Sequence, residues 1–484
     1  MKSNRHRRLP STWLLLMLTI LLSVLLVPGP LPGQASAQAE AYRLYLPSVS
    51  FDSGYPRPFG VEWLKAPTLV QTYTQHADNL GLSWIRLHRV SWRAVQPNEG
   101  DPYDWSVLST LEAELVAARE AGFTPMVIVH HSPRWATINQ PFATDCGAVR
   151  ADKFQAFADF MSALVTRYSQ PQFNVHHWEL GNEPDVDPIL VPTDQVFGCW
   201  GDINDPYYGG RHYGEMLKVV SPAIKAADSH AQVINGGLLL DRPVSSPTQG
   251  SPHRFLEGIL LAGGGPHLDI VAYHAYPSYT GETGDADLAA HLWQPWGGWT
   301  VGKARFLREV MASFGISKPL LLNETALGCN PDWYSCNPPP AAFFQAQADY
   351  LVRTFSRARS EDVIGFVWYS LNEQGWRSTG LLDETGVPRP VYWAYQQLAI
   401  QLNRSVYEGP VAYGSDVEAY SFVRARDRVH VAWSLDYNAD TISVPQSAFV
   451  AAYDRDGTAL TPVAVSPYYQ VNVGFSPIYL VLRK

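Results

Sequence analysis

Runs of lysine and arginine are missing from this chain beyond its first eight residues, and the formal net charge is -9. Recognition of a phosphate backbone needs a basic face, so nucleic acid is not an expected partner. Charge of either sign is sparse at 17% of residues, and neither an internal repeat nor a low-complexity tract occurs, which excludes a solenoid and a largely disordered chain. Only one long apolar run is present, Trp13 to Val27, between Lys2, Arg5, Arg7 and Arg8 on one side and Ala35-Ser36-Ala37 on the other. It is shorter than the roughly 20 residues that span a bilayer. The segment therefore reads as a signal peptide over residues 1–37 and not as a stable membrane anchor. No cysteine follows it closely, so a lipid has no acceptor there.

Cysteine is limited to four residues, Cys146, Cys199, Cys329 and Cys336, with no close Cys or His partners at zinc-ligand spacing. A metal site is not expected, and no cofactor is invoked. An even number of cysteines in an exported chain fits disulfides. Cys329 and Cys336 flank one short loop and can close it, leaving Cys146 to pair with Cys199. Two other connectivities stay open on sequence alone.

What the chain does have is length and core: 484 residues, 46% of them hydrophobic, with 16 tryptophans. That is enough for one large α/β barrel and one small module. After a linker or lead-in strand at 38–57, short apolar runs alternate with segments of helical period, the signal of βα units in a parallel sheet. Strands are predicted at Pro58–Trp63, Ser83–His88, Thr124–His130, His176–Leu180, Val233–Gly236, Leu268–His274, Pro319–Asn323 and Val363–Tyr369. Between them, Phe154, Phe157, Met161, Leu164 and Tyr168, and likewise Phe344, Ala348, Leu351 and Phe355, recur at helical spacing as core stripes. Runs such as Pro125-Met126-Val127-Ile128-Val129 do not alternate, as befits strands buried on both faces. The reading is an α/β fold, a (β/α)8 TIM barrel over 58–403, followed by a C-terminal all-β sandwich over 404–484. Short strands and the turn Asp454-Arg455-Asp456-Gly457 support the second part.

In such a barrel the reacting groups sit at the carboxyl ends of the strands. Strand four ends in Gly181-Asn182-Glu183-Pro184 and strand seven in Asn323-Glu324-Thr325, so two carboxylates leave the barrel on opposite sides of its mouth. Cleavage of a glycoside with retention uses such a pair, about 5–5.5 Å apart, one as nucleophile and one as general acid and then base. Arg86 closes strand two, His130 closes strand three, and strand six reads Tyr273-His274-Ala275-Tyr276-Pro277.

Together these motifs resemble the clan A glycoside hydrolases, retaining enzymes on (β/α)8 barrels. Over residues 58–403 the similarity leans to the family 39 type, the β-xylosidase and α-L-iduronidase group, with family 5 nearly as good. The resemblance implies Glu183 as acid/base, Glu324 as nucleophile and Asn182 as the partner of the sugar 2-hydroxyl. It further implies Arg86, His130, His274 and Tyr276 in the glycone site, Tyr276 donating to Glu324, and Trp368 as the floor on which the sugar stacks. The expected partner is a carbohydrate, a β-linked plant-type oligo- or polysaccharide, and the sequence sets no oligomeric state.

The motifs leave two alternatives: an endo-acting glycanase of the same clan, and a carbohydrate-binding barrel without activity. Both carboxylates are present, which disfavours the second. Glu179 lies inside its strand and reads as a buried, hydrogen-bonded residue. The adjacent pairs His130-His131 and His176-His177 do not suggest metal ligation, because neighbours on a strand point to opposite faces.

Overall fold

Eight parallel strands carry the apolar runs: β1 (Phe59–Glu62), β2 (Trp84–Ser91), β3 (Thr124–His130), β4 (His177–Leu180), β5 (Gln232–Asn235), β6 (Val271–Ala275), β7 (Leu320–Thr325) and β8 (Val363–Tyr369). They pair in the order β5, β4, β3, β2, β1, β8, β7, β6. The seam between β5 and β6 is closed by single bridges, Ile234 to Ile270 and Leu238 to Tyr273. The Asn235 side chain stands in for a ladder pair there, accepting from Ala272 N at 2.7 Å and donating to Ala272 O at 2.8 Å. This computed structural model describes residues 57–63, 70–138, 146–190, 197–240, 250–281, 284–289, 292–332, 334–372 and 375–484. The expected signal peptide, and all of the lead-in but its last residue, lie outside the described residues.

Inside the barrel, Trp84, Met126, Ile234, Ile270, Ala272, Leu321, Ile364 and Val367 form a closed core. Close packing there demands glycine at position 60, where a Cβ would come within 2.4 Å of Trp84 Cβ. The outer ring comprises α1 (Val70–Asn79), α2 (Ser109–Glu120), α3 (Phe154–Tyr168), α4 (Gly210–Ala227), α5 (Phe255–Leu261), α6 (Trp299–Ser313), α7 (Ala341–Ser360) and α8 (Pro390–Leu402). The stripe read from the sequence of α3 is the buried face of the helix: Phe154, Phe157, Met161, Leu164 and Tyr168 are all buried.

Beyond α8 the chain forms β9 (Val406–Pro410), β10 (Val417–Val423), β11 (Asp427–Ser434), β12 (Asp440–Pro445), β13 (Phe449–Asp454), β14 (Val463–Val465), β15 (Tyr468–Val473) and β16 (Ile478–Arg483). A five-stranded sheet, ordered β13, β16, β11, β10, β9, lies over a three-stranded one, β12, β15, β14. Alternation along the strands divides two cores. Ala432, Leu480 and Leu482 face the smaller sheet, whereas Val429, Val431, Trp433 and Tyr479 join the barrel's own core.

The helix between the two layers, α7, is buried along most of its length. Its arginines tie the layers together. Arg357 makes two bonds to Glu418 of β10, at 2.8 and 2.6 Å, and lies 2.7 Å from Asp285. Arg455 of the sandwich bonds Asp349 of α7 at 2.8 Å. Two disulfides form, Cys146–Cys199 and Cys329–Cys336. The first joins the loop after β3 to the loop after β4, and the second closes a loop after β7. Among the described residues no helix is long and apolar enough to cross a membrane.

Candidate active site

The mouth of the barrel is organised around one guanidinium. Arg86, on β2, is completely buried and donates all five of its N–H groups. Nε and Nη2 form a bidentate pair with Glu179 of β4, both at 2.8 Å, and Nη2 also reaches Asn182 Oδ1 at 2.8 Å. Nη1 is shared between Glu62 of β1, at 2.5 Å, and Glu324 of β7. Three carboxyl groups thus converge on one cation. Glu179 takes a further bond, at 2.7 Å, from Asn323.

Glu324 lies at the end of β7 and receives a second donor, Tyr276 Oη, at 2.5 Å. Burial and the adjacent carboxylate push the Tyr276 hydroxyl well above the usual tyrosine range, so it stays a donor at any pH of interest. Glu183 is the third residue past the end of β4, with its backbone in the left-handed region at φ 48°. A residue with a side chain pays conformational energy there, and the surroundings hold it in place. Its N–H donates to Gly236 O at 2.5 Å, Gly198 N–H reaches back to Asn182 O at 2.5 Å, and Trp200 N–H to Pro184 O at 2.9 Å. The Cys146–Cys199 bridge anchors this same return loop. Asp185 stiffens the turn further by accepting from Leu239 N and Leu240 N at 2.9 and 2.8 Å.

His274 of β6 links the two carboxyl groups. Its Nδ1 is 2.7 Å from Glu183 Oε1 and 3.4 Å from Glu324 Oε2. Burial, with Arg86 and Lys303 nearby, holds its pKa well below the ordinary histidine value, so the ring is neutral. Lys303 of α6 fixes the strand beneath by donating to His274 O at 2.8 Å. Ligand atoms of Glu183, His274 and Glu324 all lie within 4.8 Å of one another, and among the described residues this is the group whose atoms could converge on a cation. The same spacing suits the short carboxyl separation of a retaining glycosidase, and is below the 6.5–9.5 Å of an inverting one.

Not every predicted residue arrives at the mouth. Trp368 is fully buried, its indole N–H bonded to Thr379 O at 2.9 Å and its ring 6.2 Å from that of Tyr350 on α7. Strand alternation is the reason: Val367 points into the barrel, Trp368 into the helical layer, and Tyr369 back towards the mouth. The aromatic wall beside Glu324 is built instead from Tyr369 and Trp376, whose rings stand 6.0 and 5.0 Å from that of Tyr276. His130 packs edge-on against His88 and His131, at 4.2 and 3.9 Å. His130 and His131 meet because His131, just past the strand, adopts φ 52°, which breaks the alternation expected for neighbours. Sequence reasoning missed Glu62, Lys303, Tyr369 and the amide of Asn323. Glu62 had a usable signal, since it ends β1 as Glu324 nears the end of β7.

A family model described as Cellulase (glycosyl hydrolase family 5) matches residues 50–329, more than half of the chain. The chain belongs to glycosyl hydrolase family 5. It is therefore a retaining glycoside hydrolase of clan A, the clan to which the sequence resemblance pointed, and family 5 is the second of the two families that resemblance named. Similar solved structures extend the likeness of fold across barrel and sandwich. A family 39 glycoside hydrolase from Bacteroides cellulosilyticus is 20% identical, with a TM-score of 0.65 over 89% of this chain and 81% of that one. A family 30 subfamily 8 xylanase from Clostridium acetobutylicum is 15% identical, with a TM-score of 0.59 over 89% and 97%. A glucosidase from Croceicoccus marinus is 13% identical, with a TM-score of 0.58 over 89% and 96%. No curated protein matches the chain. As a family 5 hydrolase the chain acts on carbohydrate, and the site at its barrel mouth holds two carboxyl groups at a separation that this chemistry can use.

Proposed function

We propose that this protein is a secreted glycosidase that cleaves β-linked plant-type oligo- or polysaccharide by double displacement, with Glu324 as nucleophile and Glu183 as acid/base. The observation that carries the reading is the pair of carboxyl groups bridged by one neutral imidazole, His274 Nδ1. In the first step the Glu324 carboxylate attacks the anomeric carbon as the glycosidic C–O bond breaks, and Glu183 gives its proton to the departing oxygen. In the second step the Glu183 carboxylate takes a proton from water, whose oxygen attacks the anomeric carbon and releases Glu324. A neutral His274 adds no competing cation beside the acid, which leaves the proton exchange to Glu183.

The supporting groups follow from the contacts. Arg86 and Tyr276 aim one Glu324 oxygen each, leaving the carboxylate with little rotational freedom. Asn182, its oxygen held by Arg86, turns its amide N–H donors to the sugar 2-hydroxyl, a contact that strengthens as the ring becomes oxocarbenium-like. Tyr369 and Trp376 replace Trp368 as the aromatic surface for the sugar, and His130 lines the glycone side. Two disulfides fit export.

Single-turnover kinetics on two variants test the assignment. A panel of dinitrophenyl β-glucoside, β-xyloside, β-galactoside and α-L-arabinoside selects the sugar. With that sugar, Glu324→Ala should lose turnover for every leaving group. Glu183→Ala should release dinitrophenolate in a fast burst, since this leaving group needs no proton, and then stall for want of a base. A burst from Glu324→Ala would refute the roles.

A further inference from the structure

Arg86 is one positive charge facing three buried carboxyl groups, and the three are not equivalent. Glu179 is held by two guanidinium bonds and the Asn323 amide. Glu324 accepts from Arg86 and from Tyr276. Glu62 has a single guanidinium bond through Oε2, at 2.5 Å, while its Oε1 is buried with no hydrogen-bond partner among the described residues. Strand pairing sets it there: Glu62 lies opposite Arg86 on β2 and opposite Tyr369 on β8. Glu62 and Glu324 each take one of the two Nη1 hydrogens, so they pull on the same end of the guanidinium from different sides.

We infer that Glu62 is a positioning residue for Glu324, setting through the shared Arg86 Nη1 how firmly the guanidinium holds the nucleophile. This rests on Glu324 being the nucleophile. With four charged groups buried together, the economical state has one carboxyl protonated, and Glu62 has the fewest donors to offset ionisation. Its pKa is pushed up to about 8 by burial, against the pull of Arg86, with the Glu324 and Glu179 carboxylates adding to the rise. The titratable groups that face it are Arg86 from β2, Glu179 from β4, Tyr276 beyond β6, Glu324 from β7 and Tyr369 from β8. Below pH 8 a neutral Glu62 pulls only weakly on the guanidinium, which then holds Glu324 more firmly. Above it, an anionic Glu62 draws the guanidinium away, and attack slows.

Nucleophilic attack is read in isolation by the inactivation rate with the 2,4-dinitrophenyl 2-deoxy-2-fluoro glycoside of the sugar that the panel selects, because that leaving group needs no acid. In wild type the rate should fall by up to about ten-fold from pH 7 to 9, as a single ionisation near 8 requires. Glu62→Gln, which keeps the acceptor to Arg86 but cannot ionise, should vary less than two-fold over that range. Should Glu62→Gln fail to fold, Glu62→Asp keeps the acid and should move the midpoint by more than about half a pH unit. Wild-type and variant profiles that coincide, or a wild-type profile that is flat, overturn the proposal. Peptide mapping of the trapped enzyme separates this from the reading beneath it: label on any residue other than Glu324 refutes the nucleophile, whereas label on Glu324 with coincident profiles refutes Glu62 alone.

Discussion

At the scale of single residues, the site is a matter of which groups are forced to share. Arg86 has no N–H to spare, so every acceptor around it is positioned by the others, and replacing one shifts the rest. The aromatic residues divide more cleanly. Trp368 is core, and Trp376, 36% exposed beside Tyr276 and Tyr369, is the surface that we propose for the sugar. Trp368→Ala should cost about 3–5 kcal/mol of stability, the usual range for a large aromatic removed from a packed core, seen as a lower denaturation midpoint in urea. Trp376→Ala should leave that midpoint within about 0.5 kcal/mol and instead lower kcat/KM by about ten-fold through lost stacking. The reverse pattern would return Trp368 to the sugar site.

Among elements, the one that joins the parts is α7. Its inner stripe packs on the strands, while its outer face places Arg357 between Asp285, Asp287 and Glu418 with almost no solvent contact. Removing the cation leaves the buried Asp287 and the partly buried Asp285 and Glu418 without their shared counter-charge, so Arg357→Ala should destabilise the protein by about 3 kcal/mol in chemical denaturation. A loss below about 1 kcal/mol would show that barrel and sandwich do not depend on this contact. The strands were legible because each is an apolar run ended by polar residues, and the carboxyls of β4 and β7 stood out for the same reason. Glu62 obeys that rule too, but Phe59-Gly60-Val61-Glu62 is followed at once by Trp63, which hides the end of the strand. An apolar run also carries no mark of which residue faces inward, hence the one-residue error between Trp368 and Tyr369. The arginines of α7 look like an ordinary solvated face in sequence, since nothing local signals a second domain above them.

On the scale of the molecule, the barrel supplies two carboxyl groups from the ends of β4 and β7, the disulfide between residues 146 and 199 ties down the loop that returns past Glu183, and the sandwich packs Val429, Val431, Trp433 and Tyr479 into the barrel's own core. The strand-end chemistry was legible because position in a repeated βα pattern restricts what a residue can do. The contacts among the strand ends were not, because they join residues up to 238 positions apart, as Arg86 and Glu324 are. The central claim is that these two carboxyls have different jobs, and azide rescue decides it. With a β-linked dinitrophenyl glycoside, azide should restore turnover to Glu183→Ala and give the β-glycosyl azide, by attack on the covalent intermediate. It should restore Glu324→Ala with the opposite anomer, by direct displacement from the face that the nucleophile has vacated. Exchanged anomers would exchange the two roles, and unaltered hydrolysis in both variants would contradict the account as a whole.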